Sequence, residues 1–544
     1  MIRIPCLLAP LVIPSLLGAQ MTSTPGGALS PRDSALHALN RLAYGPRPGE
    51  VDRVAQMGVL KWIDQQLDPK HVADDSLERL EQQFQILRES PRGLAELFED
   101  ARRQREARLK ANPASADQAN DQPPKVRRLA GEFPELTVVR AAYSERQLRE
   151  VMVDFWTNHF NVYAGKGIDG YLLPDYIEHV IRPNALGNFA DLLIATAQSP
   201  AMLFYLDNWE SVVPGAVPPQ LARAQARARL GLLGRGANPA RLDSAAKRSP
   251  KGINENYGRE LMELHTLGVD GGYTQADVIA AARILTGWSI EKPRQDPRFV
   301  FNDWAHDYGA KTVMGVSFPA GQGMDEGLKL LKLLAMHPAT MHHVSWQLCQ
   351  RFVADEPPDG CVDDAVAAWR KSNGNIRAVL TAIFHGPDFW AQQNIGGKIK
   401  TPLEFVASVL RASEAVPDTT PRLGQVVARL GEPLFQHVAP DGYPETQEDW
   451  VNSGALLDRM NVAVGLAAGK FPGTQVDLDR VVPVVAGGAH EALVDEIDRQ
   501  LLGGAMTRHT RQVILDQIKD IPDLSAARTF AVGLALGGPD FQQQ

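Results

Sequence analysis

The sequence predicts an all-α protein, a large multi-helix bundle with short Gly/Pro connections and at most minor hairpins. Apolar residues recur at helical three-four spacing through most of the chain, and runs of alternating β-branched residues are nearly absent. The periodic stretches are also punctuated by the 46 glycines and 38 prolines that stop helices and start turns. Asp33 to Leu42 opens the fold, Gly45-Pro46 stops it, and a second helix runs from about Pro48 to Gln56. Further helices are expected at about 145–160, 172–181, 187–198, 255–267, 275–287, 324–336, 339–353, 375–384, 402–414, 447–468, 489–502 and 508–518. A short hairpin is expected near Lys311 to Phe318.

Residues 34–540 read as one helical domain with two flexible insertions. The first, 107–128, holds a polar run with no core-forming period. The second, 221–251, sets six arginines and two lysines against the single Asp243. It is either a solvated loop or a contact for an anionic glycan, lipid or partner.

With 544 residues, 44% hydrophobic and 22% charged, the chain has a globular composition that excludes collagen, general disorder and a disulfide-dense scaffold. A net charge of −8 gives nucleic acid no overall electrostatic incentive, so no nucleic-acid partner is expected. Residues 1–20 read as a secretory signal, with Arg3, an apolar run broken by Pro10 and Pro14, and small residues before Met21. The mature chain is therefore expected in the periplasm or outside the cell, without a transmembrane segment. Beyond the leader stand Cys349 and Cys361, an even pair that forms either a bridge between two helix ends or two independent buried thiols.

Four blocks are richer in polar and aromatic residues than packing requires: Asp154-Phe-Trp-Thr-Asn158-His159, Asn254 to Gln275, Ala281 to Trp288, and His306-Asp307-Tyr-Gly-Ala-Lys311. Together with His37-xxx-Arg41-xxx-Gly45-Pro46, His337-Pro-Ala-Thr340, Lys400-Thr-Pro-Leu-Glu404-Phe and Pro440-Asp-Gly-Tyr-Pro444, they resemble the bacterial domain-of-unknown-function 1800 family from about Ser34 to the C-terminus. The resemblance implies a helical, often exported protein, frequently encoded beside an uncharacterised sulfatase-like family. It implies no particular reaction.

Helix geometry sorts the candidate site residues. Glu263 and His265 project roughly 200° apart and cannot chelate one ion from a regular helix. Glu260 lies on the flank of the apolar stripe with Asn256 at i, i+4, so its carboxylate must be metal-bound, protonated or paired with an arginine such as Arg283 or Arg41. His159 follows Phe155 by four and Met152 by seven, which places it on the apolar side as a core residue or a ligand. His306-Asp307 resembles the dyad of helical metal-dependent phosphohydrolases but sits in loop sequence without matching distant ligands. His337 and Thr274 read as helix caps, Gly271-Gly272 as a turn, and His342-His343 as facing two sides. No phosphate loop, GxSxG elbow or calcium loop is present.

The resulting expectation is a polar cleft in which at least three of His159, Glu260, Arg283 and His306 fall within roughly 10 Å. His159, Glu260 and His306 are candidate ligands for a divalent transition metal or acid/base groups, and Arg283 would orient an anion, as in metal-assisted hydrolysis. The alternative is a noncatalytic envelope protein binding a partner protein or glycan, with the same blocks stabilising the fold.

Overall fold

The computed structural model describes residues 29–111, 122–230, 252–484 and 488–544. The expected leader, the middle of the first expected insertion and the second from 231 to its end lie outside these residues. Helices carry the architecture, and their starts are chemically marked. Proline occupies the first turn at Pro31, Pro124, Pro338 and Pro402, where its missing N–H is not needed. Ser30, His337 and Thr401 cap from the preceding position, and both Thr274 and Thr401 complete capping boxes with Asp277 and Glu404.

The helices that matter for the site are α1 (Pro31–Leu42), α2 (Pro124–Tyr143), α3 (Gln147–His159), α4 (Asp169–Asp175), α5 (Asn256–Glu263), α6 (Gln275–Ile284), α7 (Met324–Ala335), α8 (Pro338–Phe352), α9 (Asp359–Ser372) and α10 (Pro402–Ala412). One continuous apolar core runs from Ala35 on α1 to Phe541. The strands among the described residues form three two-stranded antiparallel pairs: Trp288–Glu291 with Arg298–Phe301, Lys311–Val313 with Val316–Phe318, and Val416–Pro417 with Thr474–Gln475.

Several expected boundaries move for physical reasons. The helix expected over 255–267 ends at Glu263, because the Leu264 and His265 amides share the Glu260 carbonyl and Gly268 turns the chain at φ +83°. The one expected over 447–468 is two, Gln447–Trp450 and Ser453–Ala467, the second capped by Asn452. The expected insertions are partly helical: Pro91–Ala111 and α2 reach into the first, and Pro219–Arg229, which buries no residue, opens the second. α2 itself is absent from the sequence expectation because Gly131 and Pro134 break its local pattern, yet it buries Val126, Leu129, Phe133, Leu136 and Val139.

Cys349 of α8 and Cys361 of α9 are bridged, with Cα atoms 6.2 Å apart, which decides between the bridge and two thiols. Among the described residues no helix is long and apolar enough to cross a membrane.

Candidate functional site

α3 and the turn that follows it present two stripes with the same three-four spacing. Met152, Phe155, Trp156 and His159 enter the core, whereas Asp154, Thr157, Asn158 and Asn161 line a cavity of about 70 Å³. The cavity is closed on its far side by the segment from Glu432 to Glu445, held to α3 by side-chain amides. Asn158 donates to the Tyr443 carbonyl and accepts from the Tyr443 amide, both at 2.7 Å, and Asn161 donates to the Ala439 carbonyl at 2.7 Å. The approach is close enough that a Cβ on Gly442, at φ +76°, would lie 2.5 Å from the Asn158 carbonyl oxygen, so only glycine fits there.

Arg351, buried at the end of α8, lies at the centre of the charge. It pairs with Glu404 through a short contact and approaches Glu445 at 3.6 Å. Glu404 also accepts from the Thr401 amide at 2.8 Å, and Glu432 from the Leu403 amide at 2.8 Å, so both carboxylates use the unsatisfied donors of the α10 N-terminus. A second wall is saturated: Arg182 binds Glu150 with two 2.8 Å contacts, and Arg140 is shared by Glu81 and Glu178. Tyr44, Tyr443, Trp450 and Phe435 supply aromatic surface.

The proton affinities separate these groups. Burial, only partly offset by Arg351 and reinforced by Glu445 and Glu404, raises the Asp154 carboxyl to about 7. Burial and the Asp154 charge raise Glu432 to about 8. Burial also raises Glu445, whereas for Glu404 Arg351 and the α10 amide outweigh burial and hold it below the usual range. Glu150, despite burial, falls to about 2 because Arg182 stabilises its charge. The Asp154 carboxylate lines the cavity and accepts no hydrogen bond from any described residue.

The residues singled out from sequence fall elsewhere. His159 packs edge-on against Trp156 and Phe160, its Nε2 3.3 Å from the His265 carbonyl, and burial together with His343 lowers its pKa to about 3. It is therefore a neutral ring of the core. Glu260 is partly exposed and meets neither Arg283 nor Arg41; burial, Glu263 and Asp441 raise its pKa. Although α5 packs on α6 so tightly that a Cβ on Gly258 would lie 3.0 Å from the Ala282 amide, Arg283 turns away to clamp Asp307 at 2.7 and 3.2 Å. Arg41 instead donates to the Asn394 carbonyl at 2.7 Å.

The His306 side chain is fully buried, with Nδ1 2.8 Å from the Thr286 carbonyl and Nε2 2.9 Å from Glu326, which also binds Lys311. Arg283 and His306 are thus neighbours through Asp307 and Thr286, whose hydroxyl accepts from the Asp307 amide at 2.9 Å. His159 and Glu260 share no contact with that network. Among the described residues no three His, Cys, Asp or Glu side chains group as metal holders.

Reasoning from single residues passed over Asp154, Arg351, Glu432 and Glu445. Asp154 stood inside a recognised block, and the signal was its polar stripe with Thr157, Asn158 and Asn161. Arg351 carries no local signal, because its partner Glu404 lies 53 positions away.

Residues 37–543 match the family described as a protein of unknown function, DUF1800, a span that includes every cavity residue named above. No curated protein and no solved structure matches the chain.

Proposed function

Since the chain belongs to the DUF1800 family, we propose that it is an exported enzyme that hydrolyses an uncharged polar substrate by carboxylate acid–base catalysis in the Asp154–Arg351 cavity. One observation carries the reading: the Asp154 carboxyl lines the cavity, is free of protein hydrogen bonds and is raised to about 7. A group that titrates near neutrality is suited to take and return a proton in one turnover. Glu432, raised to about 8, holds its proton at neutral pH and supplies the complementary acid, the separation of proton affinities that assigns roles to neighbouring carboxyl groups. In this scheme ionised Asp154 takes a proton from the attacking water, and the leaving oxygen or nitrogen receives one from the acid. Arg351, engaged by Glu404, keeps the carboxylate field tolerable without being available to an anion. Arg140, Arg182 and Arg351 in the wall are all engaged by carboxylates, so no unpaired cation meets a phosphate or sulfate ester, which favours neutral substrates.

Export is supported by the leader pattern and by the Cys349–Cys361 bridge, which persists in an oxidising compartment. Tyr44, Tyr443 and Trp450 give the cavity an aromatic wall beside the carboxyl groups, so the neutral substrates to try first are glycosides and esters.

The test is a panel of 4-nitrophenyl glycosides, esters and phosphates with wild-type protein and Asp154→Asn. Turnover of a neutral member with an apparent pKa near 7, lost by about 10²–10⁴-fold in the variant, is expected. If neutral glycosides bind without turnover and Asp154 titrates near the ordinary value of about 4 by carboxyl NMR, the noncatalytic envelope role replaces this reading.

A further inference from the structure

Beside the polar cavity lies a second one of about 250 Å³, lined by Leu94, Phe98, Leu129, Phe133, Tyr171 and Leu173 among others. It exceeds the roughly 150 Å³ that suffices to hold a benzene-sized ligand in an apolar interior. The two cavities share walls. α2 gives Phe133 and Pro134 to the apolar one and Thr137, Arg140 and Ala141, one to two turns on, to the polar one. α4 and its continuation do the same with Leu173 and Pro174 against Ile177. Leu434 and Phe435 line both.

This shared partition is built with care. Phe435 adopts φ +62°, a conformation L residues seldom take, and is held there by the Ala164 amide on its carbonyl at 2.9 Å and by stacking on Phe133 at 4.7 Å. Both helical walls also carry an internal proline, Pro134 and Pro174, whose missing N–H interrupts the hydrogen-bond ladder beside the cavity. The mouth is rimmed by exposed Gln122, Ala130 and Gln436.

We propose that the apolar cavity binds the hydrocarbon tail of the substrate whose polar end lies at Asp154, so that the substrate class is amphipathic: a neutral polar head bonded to an alkyl or aryl chain. The proposal rests on the acid–base reading only for the chemistry at the head. Its basis is the juxtaposition of an apolar cavity and a polar one across the Leu434–Phe435 partition. Such a ligand would gain affinity from each methylene removed from water.

The probes are n-alkyl β-D-glucosides from hexyl to nonyl, each below its micelle concentration, titrated calorimetrically into the full chain. Affinity is expected to tighten about fourfold per methylene. Ala130→Trp, a change at an exposed rim position that leaves the core intact, and Leu173→Phe, which fills the interior, should each weaken nonyl glucoside binding at least tenfold. Affinity independent of chain length, or binding untouched by Ala130→Trp in folded protein, would overturn the proposal. The two readings fail separately: chain-length dependence with Asp154 titrating at its ordinary value removes the acid–base chemistry alone, whereas Asp154 titrating near 7 without tail binding removes the amphipathic substrate alone.

Discussion

Two buried clusters of charge in this protein follow opposite designs. At the edge of α7, Glu326 receives both Lys311 and His306, and all three side chains are sealed from water. Around Arg351 gather the carboxyl groups of Asp154, Glu404 and Glu445, with Glu432 beside Asp154, and Asp154, Glu432 and Glu445 line the cavity. The first cluster balances its charge within the protein. The second leaves the Asp154 carboxylate without a pairing partner, and burial, reinforced by neighbouring carboxylates, raises Asp154 and Glu432 toward neutrality. Richness in polar residues therefore does not mark function; incomplete pairing beside a cavity does.

The sharpest way to break this comparison is to neutralise one carboxylate in each cluster. Glu326→Gln leaves Lys311 buried beside an uncharged amide, and loss of one partner from a buried pair costs about 3–5 kcal/mol. Urea unfolding should report that loss, whereas Asp154→Asn should retain or gain stability at neutral pH. Equal destabilisation by both changes would show that the Asp154 cluster is structural too.

Next in size is the bridge between α8 and α9. It lies at the end of the helix that carries Arg351, with a sequence separation of 12, and closing a loop of that order stabilises by about 3 kcal/mol. A Cys349→Ala, Cys361→Ala double variant should lose about 2–3 kcal/mol in unfolding measurements. Since Arg351 is two residues from Cys349, turnover should fall more steeply with temperature in the variant than in wild-type protein.

The pH dependence separates the clusters again. The folded-state pKa of Asp154 is raised from the ordinary carboxyl value to about 7, so between about pH 4 and pH 7 the folded protein holds a proton that the unfolded chain has released. Stability from this group is present below the unfolded pKa and is lost as pH rises through 7. Asp154→Asn abolishes the loss, and its stability advantage over wild type should grow by about 1–3 kcal/mol from pH 4 to pH 8. Glu150, with its pKa lowered to about 2, does the opposite: its contribution is complete above the unfolded value and disappears as pH falls toward 2.

The same contrast explains what was legible in the sequence. Local rules were enough for the helical class, the capping box at Thr274, the cap at His337 and the hairpin from Lys311 to Phe318. They were also enough to place His159 on the apolar stripe. They were not enough for Asp154, whose stripe is chemically ambiguous until the Glu432–Glu445 segment is seen to close over it, some 280 residues away in the chain. Arg351 is an ordinary basic residue in a last helical turn until Glu404 and Glu445 arrive from other elements. Of the family blocks that look alike in composition, that of Asp154 joins one cluster, that of His306 and Lys311 the other, and that of Glu260 neither, and only tertiary pairing distinguishes them.

The smallest expected effect concerns Glu260, one of the three candidate metal ligands or acid/base groups expected from the sequence. Its carboxylate has no hydrogen bond from any described residue, and burial and the charges of Glu263 and Asp441 outweigh the attraction of Arg259. Glu260→Gln removes a carboxylate from partly exposed surroundings that disfavour it. At pH 7 the change should therefore be neutral or stabilising, within about 0.5 kcal/mol, as for surface substitutions away from specific pairs. Turnover on the neutral substrate should be unchanged, and so should the apparent pKa near 7. A large fall in turnover with preserved folding would return Glu260 to the site and place the chemistry on the α5 side of the molecule, away from the cavity of Asp154 and Arg351.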